Sequence, residues 1–178
     1  EYLRWTTTLE HQLFAAEPNP QEIPEGFGKK STTGGSYASF GKPKSLDPTG
    51  KPITVEAWIT ATKPQGVILA RGGPAEGFAL VLQGGRPSFL VRSGGELSTV
   101  SGKKRLVGGW HHVVGVLKED KTMQLYVDGQ LAAQGEAKAL IASDPAQGLE
   151  IGADAQTAVG EYNTTLPFTG IIDEVRLY

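Results

Sequence analysis

The 178-residue chain reads as an all-β protein, an antiparallel sandwich of two sheets, on three observations. Apolar residues recur at every second position over short runs, which is the strand period. Glycine-rich turn signals separate the runs. No repeated alternation of strand and helix is present, so a parallel βα architecture is excluded.

The runs can be taken in order. "ITVEAWITA" (53–61) sets Val55, Ala57 and Ile59 against Thr54, Glu56 and Trp58. "GFALVLQ" (77–83), "PSFLVR" (87–92), "HHVVGVL" (111–117), "MQLYV" (123–127) and "IIDEVRLY" (171–178) are further strands of ordinary length. Turns fall at Gly72-Gly73-Pro74, Gly84-Gly85, Gly94-Gly95, Gly108-Gly109 and Asp128-Gly129. In "QLYVDGQLA" the Asp128-Gly129 pair predicts a two-residue hairpin loop with positive φ at both positions. A second hairpin is expected in "LVLQGGRPSFLV", with Gly84-Gly85 at its tip. Only 136–143 ("EAKALIAS") and 7–16 ("TTLEHQLFAA") could be helical, and the first suits a loop equally well. The Pro- and Gly-rich stretch 15–35 is expected to be a long surface loop inside the domain, with an interdomain linker as the alternative. About a dozen strands in this length make a sandwich with one core.

Composition narrows the function. A formal net charge of −2 gives no broad basic field for nucleic acid or an anionic membrane. No apolar run reaches the roughly 18 residues of a membrane span. The chain has no cysteine, which excludes disulfides and thiolate metal sites. It lacks an initiating methionine and reads as a single domain, 1–178, excised from a longer protein.

His111 and His112 invite a catalytic or metal reading. On a strand, adjacent side chains leave opposite faces. His112 then shares a face with Trp110, Val114 and Val116, and His111 with Val113 and Leu117. Two such rings cannot converge on one ion without a bulge, so each is expected to hydrogen-bond a neighbouring strand or loop.

"GGWHHVVGVLKEDKTMQLYVDGQLAA" (108–133) resembles the central hairpin of laminin-G-like domains of the concanavalin A-like lectin/glucanase superfamily. "ITVEAWI" upstream, then "LEIGAD" and "FTGIIDEVRLY", agree in order and spacing, and together they cover about residues 35–178. Residues 1–34 match poorly, although "YLRWTTTLE" stands where the family's first strand would be. The resemblance implies a jelly roll of two antiparallel sheets, one of them concave.

Relatives in that superfamily include glycoside hydrolases, whose paired carboxylates sit in a Glu-x-Asp-x-Glu pattern. No Glu-x-Asp occurs here. Glu174 and Arg176 share a strand face and are expected to pair, while Asp173 and Glu174 are expected to point apart. No catalytic residue is assigned. The resemblance also implies a structural calcium, with Asp173 as the matching carboxylate; six to eight oxygens would be needed. Asp47, Asp128 and Asp154 lie in expected loops. The competing reading of Asp173 is a carboxylate accepting backbone hydrogen bonds.

Trp58, Trp110 and Tyr126 are the candidate ligand-binding aromatics, with Tyr178 behind them. Each is also suited to a core. Lys103-Lys104-Arg105 forms a short basic cluster, by default solvated, with an acidic glycan as the speculative contact. Asn163-Thr164-Thr165 fits a glycosylation sequon. The expectation is a non-catalytic module of a secreted or surface protein, extracellular or periplasmic, appended to a hydrolase such as a sulfatase or glycosidase. Its partner would be carbohydrate or a neighbouring domain of the same polypeptide. A glycoside hydrolase with an unrecognised carboxylate pair and a structural spacer are the alternatives.

Overall fold

A computed structural model describes residues 29–30 and 36–178. The segment 7–16 and the strand suggested by "YLRWTTTLE" lie outside them. Within 15–35, only β1 (Lys29–Lys30) is described.

The following strands are β2 (Ser36–Ser39), β3 (Ile53–Ala61), β4 (Gly66–Gly72), β5 (Gly77–Gln83), β6 (Arg86–Ser93) and β7 (Glu96–Ser101). Then come β8 (His111–Leu117), β9 (Thr122–Val127), β10 (Gln130–Glu136), β11 (Leu149–Ile151) and β12 (Gly170–Leu177). A 3-10 turn, Lys44–Leu46, precedes β3. Residues 137–143 contain no helix, so that segment resolves as a loop. No helix among the described residues is long and apolar enough to cross a membrane.

The strands form two antiparallel sheets. One has the order β1-β2-β11-β4-β5-β6-β7 and the other β10-β9-β8-β3-β12. Strands distant in sequence lie side by side, as in β3 between β8 and β12, which is the jelly-roll connectivity the resemblance implied. The tight hairpins form where glycine pairs predicted them. Asp128 and Gly129 take φ of 52° and 77°, and Gly84 and Gly85 take 59° and 80°.

The main core lies between the sheets. Val55, Ala57 and Ile59 of β3 and Val113 and Leu117 of β8 meet Leu80, Phe89 and Val91 of the other sheet. Those assignments follow the period-two pattern. Strand β4 does not, because all its residues are buried. A second apolar cluster explains this: Val67, Ala70, Ala79, Val81 and Leu90, on the outward side of the seven-stranded sheet, pack against Val159, Tyr162 and Leu166. The segment 152–169 therefore lies across that sheet like a strap. Its two ends are fastened together, the Asp154 amide donating to Thr165 O (3.0 Å) and the Phe168 amide to Gly152 O (2.8 Å). Among the described residues no such segment covers the outward face of the five-stranded sheet, and β3 alternates buried and partly exposed residues along its length.

Candidate functional site

The outward face of the five-stranded sheet is assembled by strand register. Trp58 of β3 stands opposite His112 of β8 and opposite Asp173 of β12. Val114 stands opposite Tyr126 of β9. Directly opposed residues share a face. Trp58, Asp173 and Tyr126, three of the residues singled out in the sequence, thus lie on one outward surface. Trp110 immediately precedes β8 and is 48% exposed, and Trp58 is 41% exposed. Neither tryptophan is a core residue.

The two histidines part as strand geometry requires. His112 stacks on Trp58, with ring centroids 5.1 Å apart and planes inclined by 24°. Its Nε2 donates to Glu56 Oε2 at 3.2 Å. His111 Nδ1 donates to Asp128 Oδ2 at 2.9 Å, and Asp128 Oδ1 accepts the His112 amide at 3.0 Å. Burial pushes the Asp128 carboxyl up, but the hydrogen bonds from His111 and His112 and the nearby charges of His111 and Lys104 leave it below the ordinary carboxylate value.

Glu56 is the hub of the face. Besides His112, it accepts Arg176 Nη1 at 3.0 Å and the Tyr178 hydroxyl at 3.3 Å. Arg176 Nη2 donates to Glu174, the pairing expected from their shared strand face. The hydrogen bond to Glu56, with Glu174 beside it, holds the Arg176 guanidinium above its ordinary value. The Tyr126 hydroxyl donates to Gln124 Oε1 at 3.0 Å, and Gln124 Nε2 donates to Gln134 Oε1 at 2.8 Å. The result is an exposed aromatic stack within a field of oriented carboxylates, amides and one guanidinium.

One expectation is corrected. Asp173 and Glu174 do not point apart, because β12 carries a bulge between Asp173 and Arg176. Glu174 sits in the left-handed region at φ 50°. Two residues then oppose one on β3, and both carboxylates come to the outward side. Asp173 Oδ1 accepts the Glu174 amide at 2.7 Å, bracing the bulge. Among the described residues no three His, Cys, Asp or Glu side chains gather closely enough to hold a metal. Asp154 belongs to the strap, where it accepts the Tyr162 hydroxyl at 2.6 Å.

Glu56 and Glu174 flank a single guanidinium. Arg176 lies between these two carboxylates and donates a hydrogen bond to each. Glu56, His112 and Arg176 were not singled out in the sequence as a site. Glu56 was legible as a neighbour of Trp58 on its strand face, but the adjacency of β3 to both β8 and β12 has no local signal.

A two-sheet sandwich with this connectivity defines a class, and comparison agrees with it. The chain belongs to the family of the Laminin_G_3 model, described as the concanavalin A-like lectin/glucanases superfamily, which matches residues 32–178. Among solved structures it is similar to the mouse laminin alpha1 chain, domains LG4-5, at 19% identity and a TM-score of 0.64, covering 85% of this chain and 40% of that one. The receptor binding domain of botulinum neurotoxin D gives 12% and 0.59, covering 83% and 39%. The Ruminococcus gnavus IT-sialidase CBM40 bound to alpha2,3 sialyllactose gives 19% and 0.60, covering 79% and 85%. These likenesses establish the fold. The chain spans about two fifths of the laminin and neurotoxin chains. No curated protein matches it.

Proposed function

We propose that this domain is a non-catalytic carbohydrate-binding module of a secreted or surface protein, and that sugar rests on the outward face of the five-stranded sheet. One observation carries the reading: the exposed Trp58, stacked on His112 and bordered by Glu56 and Arg176, lies on the sheet face that the other described residues leave open. The apolar face of a pyranose stacks on an aromatic ring, and its hydroxyls bond to charged groups whose orientation is already fixed. Carboxylates tied to one guanidinium support binding over bond cleavage. Structural neighbours include a carbohydrate-binding module bound to sialyllactose, which is in keeping with the reading.

A glycan array and polysaccharide pull-down, with product analysis of every hit, tests it. Binding without products is expected, and Trp58→Ala should weaken it at least tenfold, since buried aromatic anchors dominate such contacts. Thermal stability of that variant should hold, because the ring is an outward one. The surroundings of Asp173 also lead us to propose calcium-independent binding, so chelator should leave it unchanged. Released oligosaccharides would overturn the non-catalytic reading, and equal binding by Trp58→Ala would remove the site.

A further inference from the structure

One end of the sandwich gathers four segments that are distant in sequence. The Gly85 amide donates to Pro64 O (2.6 Å), and the Leu106 amide donates to Gly85 O (2.8 Å). Arg86 Nε donates to Lys103 O at 3.1 Å, and Lys104 Nζ stands 3.5 Å from Asp128 Oδ2. Segments 61–66, 83–87, 101–112 and 127–132 therefore meet. They carry Lys63, Arg86, Lys103, Lys104 and Arg105 against a single carboxylate, Asp128. Asp128 is already shared between Lys104 and His111. In a chain of net charge −2, this is a local concentration of positive charge.

The same end is apolar. Val107, Trp110 and Leu131 are 41%, 48% and 52% exposed, three of the five large hydrophobic residues exposed among those described. Lys103 and Lys104 line a groove of about 350 Å³ together with Val127, Leu131 and Ala132, with Asp128 and Gln130 at the hairpin turn completing it. Val107 and Arg105 lie side by side over the Gly84-Gly85 turn: a Cβ on Gly85 would stand 3.3 Å from Val107 Cγ2 and 3.1 Å from Arg105 Nε.

The mixture discriminates between partners. A sulfated or carboxylated glycan would use the cations, but exposed aliphatic carbons at Val107 and Leu131 would give it little. A protein segment uses both, because interfaces combine an apolar anchor with a charged rim that steers and orients the partner. We propose that this end is a docking surface for an acidic protein segment. One apolar side chain of the partner fills the groove beside Leu131, and flanking carboxylates meet Lys103, Lys104 and Arg105. The proposal goes beyond the carbohydrate reading and uses side chains other than Trp58.

The probe is a display library of random peptides, selected on the intact chain at low salt, with Lys103→Glu/Lys104→Glu as counter-target. Enriched peptides should carry Asp and Glu around one Leu, Ile, Phe or Trp. A synthetic copy should bind the unaltered chain at least tenfold more tightly than the double variant, and weaken as salt screens it. Leu131→Asp should lose at least tenfold as well. Trp58→Ala should bind the peptide normally, which separates this test from that of the sugar surface. All altered residues are exposed, and circular dichroism checks their folding. No enrichment, or enriched peptides without acidic residues, would overturn the proposal. So would dextran sulfate binding that fails in the lysine variant yet persists in Leu131→Asp, which would assign the end to a polyanionic glycan.

Discussion

Gly115 sits in the middle of β8, and a side chain there has no room. A Cβ would stand 2.5 Å from the Phe89 ring of the opposite sheet. Gly115→Ala should cost about 1–3 kcal/mol by overpacking, read as an earlier urea midpoint. Gly129 is the converse: a Cβ there would meet nothing within 4 Å, but φ is 77°. Gly129→Val should lose about 1–2 kcal/mol through backbone strain alone, whereas Gly129→Asn should lose much less, because Asn tolerates the left-handed region. Thermal unfolding of the two variants checks the contrast. The Asp128-Gly129 turn was legible in sequence because its chemistry is local. The cost at Gly115 was not, since it depends on a ring 26 positions away in the chain. Alternation set Trp58 apart from Val55, Ala57 and Ile59 but left open whether its side faces core or solvent, and its stacking partner was not legible at all.

Among the elements, β3, β5, β6, β8 and β9 announce themselves by period-two patterns or hairpin turns. β4 carries no alternation because the strap buries its second face, and β7, "ELSTVS", is too polar to stand out. The strap itself, 152–169, has no period to read. Tertiary contacts hold it: Arg92 Nε donates to Val159 O at 2.6 Å, and Arg92 Nη2 donates to Glu161 at 2.5 Å. Asp154 accepts the Val159 amide at 3.1 Å and the Tyr162 hydroxyl. Burial raises its carboxyl above the ordinary value, although both hydrogen bonds oppose the shift. An acid raised in the folded state supports folding only while protonated. Its contribution is full below about pH 4, the unfolded value, and is lost as pH rises through the raised one. Asp154→Asn keeps an oxygen to accept both bonds and removes the titration. Its melting temperature should therefore decline less than that of the unaltered chain between about pH 4 and 7.

At the scale of the whole molecule, the sandwich was legible because alternation and turn residues are properties of short segments. Which sheet the described residues would cover on its outward face was not, because the covering segment, 152–169, carries no sequence signature. Among the described residues, that covering contact lies on the seven-stranded sheet and leaves the face of Trp58 open, which is the face proposed for sugar. The candidate aromatics could be named from sequence, but their convergence with Glu56 and Arg176 required the register of β12 on β3. The bulge in that register has a second effect. Among the described residues, β12 is an outermost strand of its sheet, and Ile171, Ile172, Val175 and Leu177 make it apolar and β-branched. A flat strand of that kind would offer its unpaired backbone to other copies of itself. Deleting Glu174 should restore an unbroken strand, and light scattering of concentrated samples should then rise with time. On that expectation, the kink that brings two carboxylates to the outward face also keeps this edge from pairing with other copies of the chain.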